Sequence, residues 1–94
     1  MLFFVKVRID INKLDELGKK LQSNELDLSN VLSTYCLEDD PSVGLNIWQS
    51  ENREEFERVF APHKQYYSEI IEIKTVITPA ESQKILMEQL AVNQ

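Results

Sequence analysis

The sequence predicts an α+β domain: a four-stranded antiparallel sheet carrying two helices on one face, followed by a third helix. Three observations lead there. Residues 2–10 and 68–78 alternate apolar and polar side chains with the two-residue period of a half-buried strand. Apolar residues at helical spacing, Ile11, Leu14, Leu17 and Leu21, follow the first of these runs, and a second stripe, Phe56, Val59 and Phe60, precedes the last. Between them, the acidic turn Glu38-Asp39-Asp40-Pro41-Ser42 separates two more strand-like runs.

In the first strand Phe3, Val5, Val7 and Ile9 share one face, and Phe4, Lys6, Arg8 and Asp10 share the other. Asp10 or Asn12 offers a cap to a helix running to about residue 23. Gly18 lies inside that helix, where it costs roughly 1 kcal/mol against alanine. Residues 23–30 read as a loop that tucks Leu26 and Leu28 inward.

Residues 30–37 and 43–49 form a hairpin. If Leu37 pairs with Val43, then Val31, Ser33, Tyr35 and Leu37 face the helices together with Val43, Leu45 and Ile47. Leu32, Thr34, Cys36, Asn46 and Trp48 then look the other way, and a slip of one residue exchanges the two sets. Ser50 is the expected cap of the second helix, with Glu51, Glu54 and Glu55 near its positive end. Pro62 disfavours helical geometry at Ala61 and should end that helix, leaving residues 63–67 as a short connection. The last strand stops at a strong helix start: Thr78 as cap, Pro79 at the first helical position, and Glu81 closing a capping box. The third helix then carries Ile85, Leu86 and Leu90 to about residue 91.

The order β-α-β-β-α-β plus a terminal helix, in one domain of residues 1–94, points to the ferredoxin-like split βαβ arrangement. The predicted core sets Phe3, Val5, Val7, Leu45, Ile47, Ile71 and Ile73 against Leu14, Leu17, Leu21, Phe56, Val59 and Phe60. The uncovered face is the informative one. Phe4, Trp48, Ile70 and Val76 there are too much apolar surface for a small monomer, and Lys6, Arg8, Glu72 and Lys74 forbid a dry interior unless they pair. A homodimer with two such sheets face to face meets both demands.

Composition narrows the function classes. An apolar share of 43% and a charged share of 28% are those of an ordinary soluble globular protein. A net charge of −6 with no basic stripe argues against nucleic acid. The opening MLFFV is broken by Lys6 and Arg8, too soon for a signal core or a membrane span, so a cytoplasmic protein is expected. Cys36 has no cysteine partner, and one Cys with one His does not make a zinc site. The acidic turn lacks the ligand spacing and glycine of a calcium loop. Neither metal nor cofactor is expected, and Cys36 is expected to pack as a small hydrophobe.

His63, Tyr66 and Tyr67 are the only cluster suited to acid–base chemistry at neutral pH: an imidazole that titrates there, and phenols that hold or protonate an oxyanion. The alternative is that the tyrosines cover the core edge and His63 points into water. Lys6 and Arg8 are candidates to hold an anionic ligand, with Trp48 as an apolar wall; the alternative is an ion pair with Glu72.

The opening LFFVKVRID, the later FAPHKQYYSEIIEIKTVITP and the order of elements resemble the dimeric α/β-barrel superfamily. Within it the chain is similar to small muconolactone-isomerase-like proteins and to an uncharacterised bacterial family of similar length. The resemblance implies two subunits forming one barrel, with small-molecule sites in many members, and no motif carries a catalytic residue across. Two functions follow as expectations. One is a small-molecule enzyme or binder acting on an anionic or aromatic compound by isomerase-like or oxygenase-like proton chemistry. The other is a non-catalytic dimeric interaction module with a packed interior.

Overall fold

In a computed structural model, described for residues 1–92, the elements run β1 (Leu2–Ile9), a 3₁₀ turn (Ile11–Lys13), α1 (Leu14–Gln22), β2 (Val31–Cys36), β3 (Val43–Gln49), α2 (Arg53–Phe60), a second 3₁₀ turn (Ala61–Tyr66), β4 (Tyr67–Val76) and α3 (Pro79–Val92). The strands form one antiparallel sheet in the order β2-β3-β1-β4. This is the ferredoxin-like arrangement, with β1 and β3 central because each half of the chain folds as a β-α-β unit around them.

Phe3, Val5 and Val7 of β1 are buried with Trp48, Phe56 and Phe60 in one cluster, and Val31, Val59, Tyr67 and Ile73 pack on its rim. Phe56 stacks on Phe3 at 4.3 Å and on Phe60 at 5.3 Å between ring centroids, so α2 is held by aromatic faces.

The hairpin faces the opposite way to the sequence expectation. Leu37 does pair with Val43, its N–H donating to the Val43 carbonyl at 3.1 Å. However, the register of β1 on β3 sets Phe3 beside Trp48, Val5 beside Asn46 and Val7 beside Gly44. Trp48 and Asn46 therefore belong to the helix-covered face, and Leu45 and Ile47 belong to the open one. Period-two alternation could not decide this, because both residue sets contain large apolar side chains. The largest ring decides it: Trp48 meets Phe56 and Phe60 edge-on at 5.9 and 5.4 Å. Three bulges, with Leu32 the extra residue on β2 and Ser68 and Ile71 the extra residues on β4, further break the simple alternation. Ile71 is exposed as a result rather than part of the core.

Helix ends differ in detail. α2 is capped by Asn52, whose Oδ1 accepts from the Glu55 N–H at 2.8 Å, not by Ser50. Ser50 is buried two residues earlier and donates to the Asn52 carbonyl. The helix does stop before Pro62, and from Ala61 the chain winds into the second 3₁₀ turn, which takes up most of the expected short connection and buries His63 and Tyr66. The Thr78–Glu81 capping box forms as expected: the Glu81 N–H donates to Thr78 Oγ1, and the Thr78 N–H donates to Glu81 Oε1.

α1 is the loose element. None of its residues is buried, and Leu14, which the sequence placed in the core, is 54% exposed; Ile11 in the turn before it is 73% exposed. α3 is looser still, with Ile85, Leu86, Met87 and Leu90 all exposed.

Candidate functional site

A cavity of about 150 Å³ lies between α1 and the sheet. Its floor is Val7 and Ile9 of β1 with Gly44, Asn46 and Trp48 of β3; Leu17 and Leu21 of α1 roof it; Leu28 and Val31 border it; His63 and Tyr67 close it. It exists because α1 reaches down only through Leu17 and Leu21, while Gly44 contributes no side chain beneath them. A Cβ built at Gly44 meets Val7 Cγ2 at 3.8 Å, an ordinary contact.

The polar groups on this apolar wall are few. The His63 Nε2 lies 3.1 Å from the Asp27 carbonyl oxygen, which only accepts, so Nε2 carries the hydrogen. Burial pushes the His63 pKa down, and the Asp27 carbonyl and carboxylate oppose this without reversing it. The ring is therefore neutral at pH 7 and keeps Nδ1 as an acceptor. Trp48 stands edge-on to His63 at 5.0 Å, and its buried Nε1 donor has no acceptor among the described residues. An orphaned buried N–H is an uncommon feature that invites a ligand or a water as partner. Asn46 is buried, and its Oδ1 accepts from Thr34 Oγ1 at 2.6 Å, which fixes the amide. Burial raises the Tyr67 pKa to about 12, so its hydroxyl stays protonated.

The candidate residues thus separate into two groups. His63, Tyr67 and Trp48 converge on one cavity, although the sequence placed Trp48 on the opposite face. Tyr66 is buried beside them but does not line the cavity. Lys6 and Arg8 lie on the other side of the sheet. Arg8 Nη1 donates to Asp40 Oδ2 at 2.8 Å and Arg8 Nε to Glu69 Oε1 at 3.3 Å. Glu72, the partner expected for them, sits opposite Lys6 in register but forms its ion pair with Lys74 at 3.8 Å. The acidic turn is therefore more than a solvated loop: the Arg8 guanidinium and the Ser42 hydroxyl hold the Asp40 carboxyl below the usual range. Cys36 is exposed rather than packed, at the cavity's edge.

Gly44, Asn46 and the α1 leucines are site residues that sequence reasoning did not single out. The available signal was Gly44-x-Asn46-x-Trp48 itself: a small, a polar and a bulky residue on one strand face, which is poor patterning for a core and good patterning for a floor.

No family model and no curated protein matches the chain. It is similar to the crystal structure of a Chloroflexus aurantiacus J-10-fl protein provisionally named an antibiotic biosynthesis monooxygenase, with 17% identity over 82% of this chain and 91% of that one, and a TM-score of 0.46. At that level no functional residue transfers. No helix among the described residues is long and apolar enough to cross a membrane.

Proposed function

We propose that the cavity binds a small, neutral, ring-sized molecule carrying a hydrogen-bond acceptor, and that His63 exchanges a proton with it. The observation that carries this reading is an apolar cavity closed by the neutral imidazole of His63, with the Trp48 ring on its wall and the Nε1 of that ring buried without an acceptor among the described residues. Size supports a ring: an apolar protein cavity of roughly 150 Å³ accommodates benzene. Charge supports neutrality, because Lys6 and Arg8 are on the far face and no cation lines the cavity. Of the two ligand types expected from the sequence, the aromatic one is favoured over the anionic one.

The chemistry open to these residues is proton transfer. His63 Nδ1 accepts a proton from an acidified C–H or O–H of the ligand, and Trp48 Nε1 donates to the oxygen on which charge develops. Tyr67, protonated throughout the neutral range, is a second donor. Isomerase-like enolisation requires no more than this, and an oxygenase-like reaction shares the same first step.

Acetophenone and benzoate make the test, as neutral and anionic rings of similar size. Isothermal titration should show saturable binding of acetophenone and at least tenfold weaker binding of benzoate. Gly44→Val, which places methyl groups on the cavity floor, should abolish binding while leaving the thermal midpoint within a few degrees. Equal binding by Gly44→Val would place the ligand elsewhere.

We also propose that the chain pairs through its open sheet face as a homodimer. Phe4, Leu45 and Ile47 are half-buried there, and Lys6 with Glu72 supplies the polar interior of such a contact. This second reading also serves an interaction module without catalysis, and it stands whether or not the cavity takes a ligand.

A further inference from the structure

The molecule is elongated. A compact domain of 94 residues has a radius of gyration of about 12 Å, whereas this chain has 16.3 Å and measures 57 × 30 × 18 Å. The excess is α3. β4 pairs Val76 with Leu2, so α3 departs from the end of the sheet that carries the amino terminus. A 14-residue helix is about 21 Å long, and the ten-residue strand β4 that leads into it is about 33 Å. Only a helix continuing outward from the sheet accounts for a long axis of 57 Å.

An outward helix ought to be polar, and this one is not. Ile85, Leu86 and Met87 are consecutive and so spread round about 200° of the helix. Leu86 and Met87 are each 59% exposed. A helix apolar on several sides belongs inside something. Meanwhile the body carries an unfilled, largely apolar groove of about 400 Å³ lined by Ile9, Ile11, Leu14 and Pro41 together with Asp40 and Ser42. That groove lies at the Ile9 end of β1, the full strand length from where α3 begins, so the chain's own helix points away from it.

We infer that the occupant of this groove is α3 of a second copy, exchanged reciprocally across a two-fold axis. Symmetry makes the fit specific. Two bodies running antiparallel, offset along the long axis, bring each Ile9 end under the other's outward helix, and one rotation closes both contacts. The offset leaves part of the two sheets facing each other, so the inference rests on the open-face dimer proposed above and specifies its geometry. It also links assembly to the cavity. Ile9 lines both the groove and the cavity, and Leu14 stands one turn before Leu17. A partner helix on Leu14 thus covers α1, which has no buried residue in the single chain.

The test is site-specific cross-linking in the full chain. Cys36→Ser removes the native thiol. On that background Ile11→Cys and Met87→Cys are made separately, with tags of different mass, as are Leu14→Cys and Leu90→Cys. Mixing the members of each pair and oxidising should give a covalent heterodimer for at least one pair, and sedimentation at micromolar concentration should show a dimer. A sedimenting dimer with both pairs silent overturns the helix exchange and leaves the sheet-face dimer standing. A monomer overturns both. A double variant Ile11→Cys/Met87→Cys that closes within one chain also overturns the exchange.

Discussion

Trp48 is the residue on which the site turns, and its two properties separate by substitution. Trp48→Ala empties the centre of the aromatic cluster and should cost about 3–5 kcal/mol in urea denaturation. Trp48→Phe keeps a ring and removes the donor; acetophenone affinity should fall roughly fivefold to tenfold, the worth of about one net hydrogen bond. The buried, neutral His63 makes a prediction of opposite kind. Its folded pKa lies below the ordinary value near 6.5, so above about pH 6.5 both folded and unfolded chains carry it neutral and its contribution is complete. As pH falls from there through the folded value, the unfolded state takes up a proton first and stability declines. His63→Gln should flatten the stability profile between pH 7.5 and 5.5. The carboxyls of Asp27 and Asp40, also lowered, act in a more acidic window and do not interfere. Of these residues the sequence made His63 and Tyr67 legible, because an imidazole and phenols in one short connection stand out. It could not place Trp48, since the choice between two alternating apolar sets depends on β1, a partner more than 40 positions distant.

At the scale of elements, alternation and capping chemistry made every strand and helix legible, and the misreadings fall where a tertiary contact overrides a local signal. Asn52 takes the cap from Ser50 because Ser50 is drawn into the interior, its N–H bonded to the Met1 carbonyl at 3.0 Å. Asn52→Ala should therefore cost about 1 kcal/mol. α1 reads as a core helix by its leucine spacing, yet it rides over a cavity. Gly18 lies on the exposed side of that helix, where a Cβ meets nothing within 4 Å. Gly18→Ala should stabilise the chain by about 0.5–1 kcal/mol, with acetophenone affinity unchanged. Amide exchange in α1 should be faster than in α2, which is anchored by Phe56 and Phe60.

For the whole molecule, the sheet divides the labour. One face holds the aromatic core and a small, uncharged cavity; the other carries the charges and the remaining apolar side chains. The sequence shows that one face is both oily and charged, but Leu45 and Ile47, not Trp48 and Asn46, supply the β3 part of it. Dimerisation should accordingly fail in Ile47→Glu, read as monomer by sedimentation, while Asp39→Asn in the acidic turn changes it little. The account as a whole rests on the cavity receiving a neutral ring beside an orphaned donor. The most direct measurement uses the fact that Trp48 is the single tryptophan, so a ¹H–¹⁵N spectrum holds one indole N–H signal. Titrated with acetophenone, that signal should move saturably in the native chain and stay still in Gly44→Val. An indole signal unmoved by millimolar acetophenone in the native protein would contradict the account.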